Sequence, residues 1–266
     1  MRILFAKNRR ALYATTAMVL WSVQVLAQAP SSGVPDIAGI RPGMTAQQAY
    51  EALKAHAPRA KIAIGQYPIE GVSATPVPNL MTVKIDDRVP GEIVSLWLTT
   101  PPSKQVVWAV AQVMTYPDSN KMLLSTVVDA LRKKFGTQNG TQPLLAYWAF
   151  DQQGHAERSV TPSTCISTQG FSIYAVDPQA PTFANVTPLM YPGSPKSQCD
   201  DLIDVKAQLT GPANTAEYVT NITLSEVDHS LVYSTREAYK AYMANAGARQ
   251  QQQELEKAKE QKGPVF

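Results

Sequence analysis

Two cysteines, Cys165 and Cys199, are the side chains of this sequence most able to form a covalent bond. Both lie among proline, serine and threonine residues, which favour turns. They are 34 positions apart, and this spacing matches neither a C-x-x-C redox motif nor a zinc site. In an oxidising compartment the pair therefore favours a disulfide, which would stabilise the fold by about 3–4 kcal/mol. A reactive or metal-binding pair of thiols is the alternative interpretation.

Three histidines, His56, His155 and His229, lie far apart in the sequence. His56 falls at the predicted end of a helix, where a histidine stabilises the helix dipole more often than it catalyses. A nucleophile made of Cys165 with His155 as its base would need a free thiol, which the predicted disulfide removes. We therefore predict no catalytic residue.

Acidic residues and motifs give no stronger indication of a reactive site. Asp200, Asp201 and Asp204 could offer oxygen ligands to calcium, but they lack the spacing and the distal glutamate of a calcium-binding loop. The sequence has no His-Glu-x-x-His, no Gly-x-Ser-x-Gly and no dinucleotide-binding motif. We predict neither a metal nor a cofactor. A hydrolase without a familiar motif stays open as an alternative.

Aromatic residues are concentrated on the predicted strands and could serve either a core or an interface. Packing in the core explains most of them, and a platform for a ligand or glycan is the alternative. For a binding face we name Trp97 and Trp108, together with the Pro101-Pro102 loop between them. A proline-rich connection is a rigid place from which to present side chains.

The first 29 residues read as a secretory signal peptide. Four basic residues precede an apolar run over residues 11–26, and small residues follow at the expected cleavage site. An uncleaved membrane anchor is the alternative, although the run is short for a span of about 20 residues. Residues 30–38 then form a flexible start, and no later stretch is apolar enough to cross a bilayer. The sequence predicts a periplasmic or secreted bacterial protein.

The net charge argues against nucleic acid as a partner. The whole chain carries a formal charge of +3, but the first 29 residues contain four basic residues and no acidic ones. The remainder is therefore close to neutral, at about −1, and lacks the basic surface that a polyanion requires.

Helices are predicted where capping residues precede an apolar stripe. Thr45 and Gln48 form a capping box before a stripe that includes Ala49 and Leu53. Gly39 and Gly43 shape the turn before this helix, and their spacing does not match a phosphate-binding loop. A second helix is expected to begin after Ser125 and to end at Gly136, and a third to begin at Ser234.

Strands rich in β-branched and aromatic residues separate these helices. We predict them near residues 81–85, 93–99, 106–116, 144–150, 171–176, 202–209 and 218–227. The sequence therefore predicts an α+β fold, with helices packed on an antiparallel sheet. A weak match between the first two helices, offset by 78 positions, suggests two units, over residues 39–119 and 120–233. A helix and a solvated tail follow over residues 234–266.

The sequence motif Gly-Ile-Arg-Pro-Gly-Met-Thr at residues 39–45 is followed by a predicted amphipathic helix and antiparallel strands, and this arrangement resembles a repeat found in two protein families. It is similar to the repeat of the SmpA/OmlA assembly lipoproteins and of secreted β-lactamase-inhibitor-type proteins. The likeness covers residues 39–54 well and 123–150 loosely, and it includes neither the lipid-bearing cysteine of the first family nor a cysteine pair in each repeat. It implies an exported α+β protein whose sheet meets an envelope or secreted protein partner. A small-molecule or glycan-binding protein is a further alternative.

Overall fold

The computed structural model describes residues 33–69, 72–142, 144–160, 175–179, 199, 201–211 and 217–260. The predicted signal peptide and Cys165 lie outside these residues, so both stay predictions. The described residues form an α+β fold with an antiparallel sheet and a C-terminal helix, which confirms the predicted fold class.

The described residues contain three α-helices and ten strands. The helices are α1 (Ala46–His56), α2 (Leu124–Phe135) and α3 (His229–Glu260). The strands are β1 (Ile62–Ile69), β2 (Ser73–Ile85), β3 (Gly91–Leu98), β4 (Val107–Thr115), β5 (Met122–Leu123), β6 (Gly140–Gln142), β7 (Leu145–Phe150), β8 (Ile203–Thr210), β9 (Tyr218–Val219) and β10 (Asn221–Asp228).

Eight of the strands form one antiparallel sheet in the order β1-β2-β3-β4-β10-β8-β7-β6, and β5 pairs separately with β9. Along the chain, α1 is followed by β1 to β4, and α2 is followed by the other four strands of the sheet. The last strands of the two sets, β4 and β10, pair with each other and join the sets. Along the chain, the boundary at residue 120 that the sequence suggests lies between these two sets of strands.

One face of the sheet, the helical face, is covered by α1 and α2. Ala49 and Leu53 of α1 and Leu131 of α2 belong to the same buried cluster as Val83 and Leu96 of the sheet. Burying such aliphatic side chains contributes roughly 25 cal/mol for each Å² removed from water, so this layer is the main core.

The other face, the opposite face, carries a smaller core beneath the start of α3. Trp97 of β3 points away from Leu96 because neighbouring residues of a strand alternate between faces. It packs with Leu80, Trp108 and Val227 and with Val232 of α3. The sheet is therefore buried on both sides over its central strands.

The start of α1 confirms the predicted capping box. The Thr45 hydroxyl accepts a hydrogen bond from the Gln48 main-chain N–H, and the Gln48 side chain accepts one from the Thr45 N–H. Both bonds satisfy N–H groups that the first turn of a helix leaves without partners.

The predicted starts of the other two helices are wrong. The second helix begins at Leu124 and has no side-chain cap, so Ser125 lies inside it, although Gly136 ends it as expected with a positive φ. The third begins at His229 and not after Ser234, because Asp228 Oδ1 accepts hydrogen bonds from the N–H groups of Ser230 and Leu231. Asp228 thus provides the cap.

The C-terminal part of α3 is exposed and rich in glutamine, glutamate and lysine. Of the helices that the structure describes, none combines the length and the apolar composition needed to cross a membrane.

Candidate functional site

An open cleft of about 590 Å³ lies beside the end of α1 and the end of β2. Its lining residues come from two short stretches, His56, Ala57, Pro58, Arg59 and Ala60 from the first and Lys84, Ile85, Asp86, Asp87 and Arg88 from the second. Each stretch begins at the end of an element that packs in the core, α1 or β2, so the fold holds the two stretches side by side.

A buried carboxylate, that of Glu92 on β3, lies behind the cleft. Its side chain is only 3% exposed, and the register places it opposite Ile85 on the helical face. Oε1 accepts hydrogen bonds from His56 Nε2 and Gln112 Nε2, each at 2.7 Å, and Oε2 pairs with the Arg88 guanidinium. A buried charge is tolerated only when it is paired and hydrogen-bonded, and these three donors meet that condition.

The hydrogen bonds determine the tautomer of His56. Because a carboxylate oxygen only accepts, the proton between His56 and Glu92 must lie on Nε2. Arg88 Nη2 is 3.0 Å from the same nitrogen and is itself only a donor, so this contact is a close approach of charge and not a hydrogen bond. Nδ1 is then the basic nitrogen, and it has no partner among the described residues.

Three effects lower the pKa of His56. Burial is the largest, because it disfavours the charged imidazolium, and the positive charges of Arg88 and Lys134 act in the same direction. The ring is therefore neutral at neutral pH. A neutral imidazole held by a carboxylate can accept a proton through Nδ1, or a hydrogen bond from a ligand in the cleft.

The cleft lacks other parts of a common active site. No serine, threonine or cysteine is among its lining residues. In the described part of the chain, no three histidine, cysteine, aspartate or glutamate side chains are grouped to hold a metal ion. A reaction here would have to use water, the Lys84 amine or a carboxylate of Asp86 or Asp87 as the nucleophile.

A second feature, the edge strand β1, is the outermost strand at one end of the sheet. It pairs with β2 on one side and with no described strand on the other. Ile64 and Tyr67 on this strand are 43% and 39% exposed. An edge strand presents unpaired N–H and C=O groups that can pair with a strand of another chain.

The tryptophans predicted to form a binding face are buried. Trp97 is 2% exposed and Trp108 is not exposed, and their rings contact each other with centroids 6.3 Å apart. They belong to the core under α3, so the predicted interface at these side chains is not supported. Pro101 is partly exposed and Pro102 is exposed, in the loop between β3 and β4. This loop alone presents no aromatic side chain to a partner.

Of the two cysteines, the structure describes Cys199. It is completely buried, beside Tyr147 and Leu202, and it is not a free thiol. Since Cys165 lies outside the described residues, the bridge between them stays a prediction. Asp204, one of the acidic residues after Cys199, lies in β8, within the predicted strand range, and pairs with the buried His229 at 3.2 Å. His155 is exposed and pairs with Asp151.

Sequence reasoning missed both the pairing of His56 with Glu92 and the edge strand. The two residues are 36 positions apart, and nothing in their local sequence indicates that they meet. Comparison of the whole chain with protein-family models, curated proteins and solved structures finds no match.

Proposed function

We propose that this chain is an exported bacterial protein that binds an extended segment of another envelope or secreted protein. The observation that carries this proposal is the open edge of β1 with its exposed apolar side chains. Export rests on the predicted signal peptide, and the resemblance of residues 39–54 to families of exported proteins agrees with it.

Natural proteins protect an open edge with charges, prolines or bulges, and β1 is protected unevenly. Its second half contains Pro68, which has no N–H to donate, and the pairing with β2 is shifted between Gly65 and Gln66. Its first half, Ile62–Gly65, has neither charge nor proline nor a shift in register. Four residues of regular edge thus remain for a partner strand to pair with.

Side chains next to this stretch can add specificity. In strand addition the main-chain hydrogen bonds provide affinity, and alternate side chains select the partner. Ile64 and Tyr67 are apolar or aromatic and exposed, and such residues dominate the binding energy of interfaces. We infer a partner segment that is extended and apolar.

The test is a charge placed on the edge. Ile64→Lys should abolish capture of a stoichiometric partner from an envelope extract of the host, because a lysine on an edge strand opposes strand pairing. Leu255→Lys is the matched control, since Leu255 is 57% exposed on α3, far along the chain from β1. Equal capture by both variants would refute the role of β1, and the absence of any captured protein would refute the binding function.

A second candidate is a hydrolase at the cleft, and the unpartnered Nδ1 of the neutral His56 favours it. General-base catalysis contributes about 10²–10⁴-fold, so His56→Ala should remove at least about 100-fold of any activity on ester or amide substrates. His155→Ala is the matched control because His155 also pairs with a carboxylate but is exposed. Equal loss in both variants, or no activity in the wild type, would exclude this candidate.

A further inference from the structure

A short piece of the chain, residues 175–179, lies on the opposite face of the sheet and turns at its last two residues. It covers what we call the β2–β3 groove, which is formed by Leu80, Thr82, Lys84, Ser95 and Trp97. These groove residues precede the covering piece by 78 positions or more along the chain.

Two buried hydroxyls in the groove bind the main chain of a single residue, Val176. Its N–H donates to Ser95 Oγ at 2.8 Å, and its carbonyl oxygen accepts from Thr82 Oγ1 at 2.8 Å. The two hydroxyls are themselves 2.8 Å apart. If Ser95 donates to Thr82, the three bonds form a closed ring in which each hydroxyl donates once and accepts once.

This ring recognises backbone and not side chain. Thr82 and Ser95 are opposite each other in neighbouring strands and are fully buried, so their positions are determined by the sheet. Any residue in an extended conformation presents the same N–H and C=O groups. The groove can therefore hold an extended peptide largely independently of the residue at this position.

The residues beside the ring add a preference for particular side chains in the bound segment. Lys84 Nζ is 3.3 Å from Asp177 Oδ2, which places a positive charge one residue after the ring. Ala175 and Val176 pack against the cluster that contains Leu80 and Trp97. The groove thus fits a small or aliphatic residue followed by an acidic one.

We propose that the β2–β3 groove is a peptide-binding site that the chain fills with its own residues 175–177. Its second occupant is an extended segment of a partner protein in which an aliphatic residue precedes an aspartate or glutamate. The partner segment replaces the internal one and makes the same main-chain bonds. This site lies on the opposite face and does not depend on strand addition at β1.

One contact of the internal occupant, the ion pair between Lys84 and Asp177, is weak. Lys84 and Asp177 are 28% and 36% exposed, and an ion pair of this kind changes an equilibrium by at most about fivefold. A linked segment competes through a high effective concentration, so it reduces the apparent affinity of a free peptide without abolishing it.

The test measures fluorescence anisotropy of a labelled peptide with the sequence of residues 172–179, added to the full chain. Asp177→Ala loosens the internal segment and should tighten binding of the free peptide by about two- to fivefold. Thr82→Val removes the hydroxyl that holds the carbonyl of either occupant, so it should weaken binding of the free peptide by no more than about tenfold, because the internal competitor loses the same bond. Asp86→Ala is the matched control, because Asp86 also approaches Lys84, at 3.8 Å, but is not part of the covering segment.

A charge exchange covers the case in which Thr82→Val does not fold. Lys84→Glu, at a partly exposed position, repels Asp177 of both occupants, so it should restore binding of a peptide that carries lysine in place of Asp177 and bind that peptide more tightly than the natural one. The proposal is overturned if neither the wild type nor Asp177→Ala binds the peptide, if Asp86→Ala tightens binding as Asp177→Ala does, or if the exchange restores nothing. The variant Ile64→Lys should bind the peptide as the wild type does, which separates this result from the outcome at β1.

Discussion

Replacement of Glu226 by methionine should stabilise the protein at neutral pH. Glu226 lies in β10 on the helical face, between Val110 of β4 and Val205 of β8, and it has no exposed surface. Neither of its carboxyl oxygens has a hydrogen-bond partner among the described residues. An unsatisfied buried polar group costs about 1–3 kcal/mol, and methionine has a similar length without polar oxygens.

Protonation adds a dependence on pH to this difference. Burial raises the pKa of Glu226 well above 4.5, and the carboxylates of Asp36, Asp204 and Asp228 raise it further, against the opposing charge of Lys134. The folded state therefore keeps a proton that the unfolded state releases. Stability from this group is complete below pH 4.5 and falls by about 1.4 kcal/mol for each pH unit until the pH reaches the folded pKa.

Urea unfolding followed by circular dichroism at pH 5, 6, 7 and 8 tests both parts. We expect the gain of Glu226→Met over the wild type to increase with pH, from at least about 1 kcal/mol at pH 5. Glu217→Met, at an exposed position, should change stability by less than about 0.5 kcal/mol at every pH. A gain that does not change with pH, or a loss of stability, would refute the assignment of a protonated and unpaired carboxyl.

Three further results are expected. Because the pKa of His56 is lower in the folded state, the unfolded state binds a proton at this residue first as the pH falls. The stability of the fold should therefore decrease as the pH drops below 6.5, and His56→Gln should reduce this decrease in urea titrations. Thr45→Ala should cost about 1 kcal/mol through loss of the cap, whereas Thr75→Ala, at an exposed position outside any cap, should cost little in the same titration. Trp97→Ala should cost about 3–5 kcal/mol in thermal unfolding, and a near-neutral result would contradict its place in the core.

The elements that the sequence predicts well are those with local signals. The capping box of Thr45 and Gln48 operates within four residues, and the buried stripe of α1 follows from helical spacing. Strands β3, β4 and β10 are rich in β-branched residues and lie close to the predicted ranges. Local chemistry determines these features, so a single sequence is sufficient to find them.

Features that depend on distant parts of the chain were missed. Strand β1 contains Gly65 and Pro68, which read as turn residues, and it forms because β2 pairs with it through shifts in register. The first part of β2 contains Pro76 and Pro78 and was missed for the same reason. The cap of α3 was assigned to Ser234 because Ser-Thr-Arg-Glu matches a capping box, although Asp228 provides the cap six residues earlier.

The helices and the segment that cover the sheet limit which of its side chains a partner can contact. Aromatic residues are common in cores and interfaces alike, so the sequence could not separate the two for Trp97 and Trp108. The register resolves this, because it places Trp97 opposite Leu80 and Ala109 on the face that α3 covers. With α1 and α2 on the helical face and α3 and residues 175–179 on the other, neither face offers its central aromatic residues to a partner. The two binding proposals accordingly use the edge at β1 and the β2–β3 groove, and the Ile64 and Asp177 variants distinguish these two routes.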